Sequence, residues 1–114
     1  MSAITTHVLD LAHVRPAAGV AVLLERRDAT GQFCEAGRGV TDADGRVKTL
    51  LGPGSALAVG TWRLTFETGA YFWAAGETAF HPTISVTFDV TDAAQHHHVP
   101  LLVSPFGYTT YRGS

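Results

Sequence analysis

Residues 83–90 alternate strictly: Ile84, Val86, Phe88 and Val90 are apolar, while Thr83, Ser85, Thr87 and Asp89 are polar. Residues 61–68 repeat the pattern, with Trp62, Leu64 and Phe66 set against Arg63, Thr65 and Glu67. Successive side chains on a strand point to opposite faces, so a period of two describes a strand with one buried face. A chain with two such strands must cover their apolar faces with another layer.

The rest of the chain supplies that layer in the same short rhythm. Turn signals recur at Arg15-Pro16, Asp28-Ala29-Thr30-Gly31, Asp42-Ala43-Asp44-Gly45, Gly52-Pro53-Gly54-Ser55, His81-Pro82 and Ser104-Pro105-Phe106-Gly107. Between them, β-rich runs predict further strands over residues 5–11, 20–26, 46–51, 95–103 and 108–112. Only residues 69–76, bracketed by Gly69 and Gly76, read as a short helix of about two turns. No stretch sustains a 3.6-residue period for three turns. The expectation is all-β: a sandwich or barrel of seven or eight strands with one short helix, in a single domain spanning the 114 residues.

Charge and composition narrow the function classes. The net charge is −2, and seven of the eight cations are arginine, Lys48 being the one lysine. There is no basic stripe, so nucleic acid is not an expected partner. Apolar runs fall well short of the roughly 18 residues that span a bilayer, and residues 1–7 carry neither the basic nor the apolar segment of a secretory signal. Cys34 is the one cysteine, which rules out an intrachain disulfide and offers no local activating neighbour. Together these point to a protein of the cytoplasm.

Histidine is the unusual residue. His7, His13, His81, His96, His97 and His98 make six in this short chain. A triple-histidine run suggests metal, since neutral imidazole binds zinc and copper. On a strand, however, His96 and His98 share one face and His97 takes the other, and two histidines fill only half of a tetrahedral site. Other readings are ordinary ones: His7 as a half-buried strand residue bonded to backbone, Arg46 as a solvated charge after a turn, Tyr111 and Arg112 as a frayed end. Against fraying, Tyr108-Thr109-Thr110-Tyr111 is rich in β-formers, which would hold the last residues in place.

Taken together, these pieces resemble a known family. Thr6-His7-Val8-Leu9-Asp10 followed by Arg15-Pro16-Ala17-Ala18-Gly19-Val20, then Thr41-Asp42-Ala43-Asp44-Gly45-Arg46, then residues 96–114 closing on Tyr111-Arg112-Gly113-Ser114, are similar to the transthyretin-like 5-hydroxyisourate hydrolases. The likeness covers nearly the whole chain in order, and the closing Tyr-Arg-Gly-Ser resembles the ending that separates these hydrolases from transthyretin. It implies a prealbumin-like (transthyretin-type) sandwich of two four-stranded sheets with one short helix, assembled as a homotetramer with sites in a central channel. It implies hydrolysis of 5-hydroxyisourate to 2-oxo-4-hydroxy-4-carboxy-5-ureidoimidazoline in urate breakdown, with no cofactor and no metal. Carried over, His7, Arg46 and His98 are catalytic, and Tyr111, Arg112, Gly113, Ser114 and His96 bind substrate. His97 stands where the family has tyrosine.

The chemistry suits those residue types. A histidine pair can relay protons near neutral pH, and an arginine holds a carbonyl-rich anion through its planar fork of donors. No Gly-x-Ser-x-Gly elbow for a serine nucleophile is present. Two other classes remain at this stage: a transthyretin-like carrier of a small aromatic ligand, which has no use for proton-transfer groups, and a metal-binding or purely structural sandwich.

Overall fold

The computed structural model describes residues 2–52 and 56–114; Pro53, Gly54 and Ser55 of one expected turn lie outside them. Its elements in chain order are β1 (Ile4–Asp10), β2 (Arg15–Pro16), β3 (Ala21–Arg27), β4 (Phe33–Val40), β5 (Arg46–Val47), β6 (Gly60–Phe66), α1 (Thr68–Ala74), β7 (Ile84–Val90), β8 (His97–Val103) and β9 (Tyr108–Thr110). They form two sheets. The first runs β2-β1-β8-β9, with β5 also paired to β1; the second runs β4-β3-β6-β7.

The two alternating runs become β6 and β7, paired antiparallel from Gly60↔Val90 to Phe66↔Ile84. Trp62, Leu64 and Phe66 bury their apolar faces, as alternation predicts. In the first sheet Ile4 and Val8 of β1 and Val99, Leu101 and Val103 of β8 are the inward residues. The same period therefore turns Thr5, His7 and His98 to the outer face of that sheet. β1 and β8 lie parallel, in register from Ile4↔His97 to Asp10↔Val103. β5 and β2 share the opposite edge of β1, at Thr6–His7 and Leu9–Asp10 respectively.

The helix forms where glycine brackets predicted it. Phe72 is fully buried, which is worth about 1.5–3 kcal/mol to the docking of so short a helix. Gly69 is required by proximity, because a Cβ there would stand 2.6 Å from the Pro82 carbonyl oxygen.

Four sequence expectations change. β4 was not expected at all. Its alternation is hidden because Gly37 and Gly39 lie under neighbouring chain: a Cβ on Gly37 would collide with the Leu50 carbonyl, and one on Gly39 would meet Val47 Cγ1 at 2.7 Å. The strand expected over 46–51 shortens to Arg46–Val47, and the one over 95–103 begins at His97. Counting the two-residue pieces, the described residues form nine strands rather than seven or eight.

The turn between β1 and β2 is strained and tied down. Val14 sits at φ 54°, the left-handed region that a β-branched residue rarely occupies. His13 holds this turn from both sides. Its N–H and Nδ1 donate to the buried Asp10 carboxylate at 3.0 and 2.6 Å, and its Nε2 lies 2.7 Å from Glu77 Oε1 as an ion-pair contact. Burial alone would raise Asp10, but hydrogen bonds from Tyr71 and His13 outweigh it and hold the carboxyl below its usual range.

Candidate active site

The site forms on the outer face of the first sheet, where β5, β1 and β8 run side by side. A tight turn delivers Arg46. Asp42 Oδ1 accepts the backbone N–H groups of Asp44 and Arg46 at 2.9 and 3.0 Å, and the Arg46 bond is the main reason the Asp42 carboxyl sits below its usual range. Gly45 completes the turn at φ 77°, packed so tightly that a Cβ would collide with the Val8 carbonyl. Arg46 then pairs across from His7. The His7 ring is 2.8 Å from the Asp44 carbonyl oxygen through Nε2. A carbonyl only accepts, so Nε2 carries a proton, and in neutral His7 the free lone pair is on Nδ1.

From the other side, β8 brings its histidines. Thr5 and His98 are register partners. Thr5 Oγ1 lies 2.8 Å from His98 Nδ1 and 2.9 Å from His96 Nε2. His97 points the other way, is buried, and engages the Gln95 carbonyl oxygen through Nδ1 at 2.9 Å. The expected division of the triple run into one shared face and one opposite residue is thus what the strand adopts, although His96 precedes the strand's first residue.

A cavity of about 270 Å³ opens here, lined by Arg46, Lys48, His96, His98, Thr5 and Ser114 among others. The tail doubles back to reach it. Gly113 N–H donates to the His98 carbonyl at 2.8 Å, and the backbone lies so close that a Cβ on Gly113 would stand 2.6 Å from His98 Cδ2. Its glycine is therefore needed for close approach rather than for a positive φ. His98 is pushed below the usual imidazole range, first by burial and then by the nearby charges of Arg46, His96 and His7.

Not every expected residue faces this cavity. His7 stands beside it. Tyr111 and Arg112 line a second, more apolar cavity of about 300 Å³ with Val86, Phe88, Val99 and the other side of His98, and Arg112 donates to Gln95 Oε1 at 2.8 Å. Conversely, Thr5 and Lys48 belong to the cavity and were not anticipated. Lys48 was legible in principle: two residues from Arg46, it shares that residue's face. Among the described residues, no group of three or more His, Cys, Asp and Glu is placed to hold a metal ion, and no helix is long and apolar enough to cross a membrane.

A two-sheet sandwich carrying a histidine–arginine cavity on its outer face defines a small class of protein, and the comparisons agree. Residues 4–113 match the HIUase/Transthyretin family, and the chain belongs to it. It is 49% identical to a 5-hydroxyisourate hydrolase of Caulobacter vibrioides over the full length of both chains. It is 45% identical to a 5-hydroxyisourate hydrolase of Mus musculus, covering 99% of this chain and 96% of that one. Among solved structures, Klebsiella pneumoniae 5-hydroxyisourate hydrolase superposes with a TM-score of 0.82 at 38% identity, covering 97% of this chain and 98% of that one. Sea bream transthyretin bound to thyroxine superposes at 0.92 with 33% identity, covering 98% and 95%. The better superposition is with the transthyretin and the higher identity with the hydrolase, so backbone shape does not separate the two.

Proposed function

We propose that residues 1–114 form one transthyretin-like domain that hydrolyses 5-hydroxyisourate, with His7, Arg46 and His98 as its catalytic groups and His96, Gly113 and Ser114 forming the substrate pocket. The observation that carries this reading is the meeting of Arg46, His96 and His98 around one cavity, with His7 directly across from Arg46. A hydrophobic carrier has no need of that set, and relatives 49% and 45% identical to this chain bear the hydrolase name. Tyr111 and Arg112 act from the flank, ordering the tail where it passes His98.

In this reading His98, neutral because its pKa is depressed, takes a proton from water as the water oxygen attacks the C6 acyl carbon. Arg46 stabilises the negative charge that develops on the carbonyl oxygen. Collapse of the tetrahedral adduct breaks the C6–N1 bond, the proton passes to the departing nitrogen, and a carboxylate remains. The test is direct: add the purified protein to freshly generated 5-hydroxyisourate and follow its ultraviolet decay. Decay clearly faster than the spontaneous rate supports the assignment, and an unchanged rate rejects it.

The pH dependence follows from His98. Its protonated form is disfavoured in the folded protein, so the acid limb of kcat/KM should fall below the ordinary imidazole value of 6.5. Stability shifts with it. As pH drops through 6.5 the unfolded chain takes up the proton before the folded one does, so His98 contributes less stability at acid pH. A rate profile flat across the histidine range would exclude His98 as the base.

Assembly into a homotetramer is part of the same proposal. Among the described residues β7 and β9 are edge strands, and Phe80, Phe106, Tyr108 and Tyr111 are exposed. Strand edges and aromatic side chains left open in this way favour pairing between copies. Sedimentation should show a tetramer, whereas a fully active monomer would refute the assembly. Cys34 is a free thiol, which suits the reducing cytoplasm.

A further inference from the structure

Thr5 stands on β1 between the two same-face histidines. Thr5 is 7% exposed, and its hydroxyl is bonded to both same-face histidines, to His98 Nδ1 at 2.8 Å and His96 Nε2 at 2.9 Å. The two rings do not touch each other; their centroids are 6.4 Å apart. A hydroxyl has one proton to give. It can donate to one ring nitrogen while accepting from the other, in either of two arrangements.

We infer that Thr5 is a positioning residue that couples the tautomers of His96 and His98 and shares one proton between them. The inference rests on the hydrolase reading for its catalytic consequence, but not for its structural one. For His98 to present a lone pair on Nε2 to water, its Nδ1 must carry hydrogen. Thr5 Oγ1 then accepts from His98 Nδ1–H and donates to His96 Nε2, which leaves the His96 proton on Nδ1. When His98 takes the water proton on Nε2, its Nδ1 proton passes to Thr5 Oγ1 as the Thr5 proton passes to His96 Nε2. The positive charge moves to the His96 ring, with no net change in the Thr5 hydroxyl. The reverse transfers return a proton to His98 Nδ1, which frees the water proton already on Nε2 to pass to the departing nitrogen, so His96, Thr5 and His98 end as they began. This division of labour also keeps the cation from remaining on His98, the ring that burial and the charge of Arg46 disfavour as a cation.

Nitrogen NMR of the histidine-labelled, unmodified protein reads this without any substrate. At neutral pH the expected result is a proton on His98 Nδ1 and none on His96 Nε2. Protons on both of those nitrogens, or on neither, would overturn the coupling. In Thr5→Val, which keeps the shape and removes the hydroxyl, at least one ring should change tautomer. In the same variant kcat should fall by about tenfold or more with KM held within about twofold, the pattern of a lost proton-transfer partner rather than a lost binding contact. Thr5→Ser should restore both. Wild-type tautomers and turnover in a folded Thr5→Val protein would sink the inference. If the unmodified protein is inert toward 5-hydroxyisourate, the hydrolase reading fails, while the tautomer measurement still decides the role of Thr5.

Discussion

Alanine in place of His98 should lower kcat for 5-hydroxyisourate by about 10²-fold or more, equivalent to roughly 2.7 kcal/mol of transition-state stabilisation. His98 meets every strand of the site. It is bonded to Thr5 on β1, its carbonyl takes the tail's Gly113 N–H, and its ionisation feels both Arg46 on β5 and His7 on β1. His7→Ala and Arg46→Ala should cost a similar factor, because one removes an imidazole beside the cavity and the other the planar donor fork. The contrasting variant is His97→Ala. That ring points inward, away from the cavity formed by its neighbours, so the folded protein should keep near-normal turnover although it loses some stability. Steady-state kinetics on the four variants, normalised to folded protein, checks the set. Equal damage from His97→Ala and His98→Ala would mean that the facing of this strand does not separate catalyst from core.

The second large effect concerns the tail. Deleting residues 111–114 should cut activity by about 10²-fold, the scale expected when a reacting group loses its fixed position. The deletion removes Ser114 from the cavity wall, and it removes the backbone that lies against the His98 ring. β9 ends at Thr110, so the sheet loses only the isolated Gly113–His98 bridge and the thermal midpoint should move little. Gly113→Ala is the finer test. Its methyl group would press on His98 Cδ2 and Pro100 Cγ, and the ring must tilt to admit it, so a smaller loss is expected, about tenfold. Full activity in the deleted protein would take the tail out of the site.

The sequence by itself determined which residues share a face. Alternation over 61–68 and 83–90 is a local property of the strand, and it set β6 and β7. The same rule separated His97 from His96 and His98 before any neighbour was known. Asp42, Gly45 and Arg46 were legible together because a tight turn is specified by the few residues within it. The short helix was likewise marked by its own glycines.

What only the tertiary structure decided is which faces meet. Glycine conceals β4, since Gly37 and Gly39 are there to admit the chain at Leu50 and Val47, and an absent side chain leaves no alternation to read. Thr5 looked like an ordinary strand residue because its partners lie 91 and 93 positions away, brought to it by the parallel pairing of β1 with β8. The tail read as one unit, yet Tyr111 and Arg112 line one cavity and Ser114 another. A period of two records the side of the strand on which a residue stands. The residue opposite it is chosen by the packing of whole sheets, through contacts between residues far apart in the chain, and no local pattern records that choice.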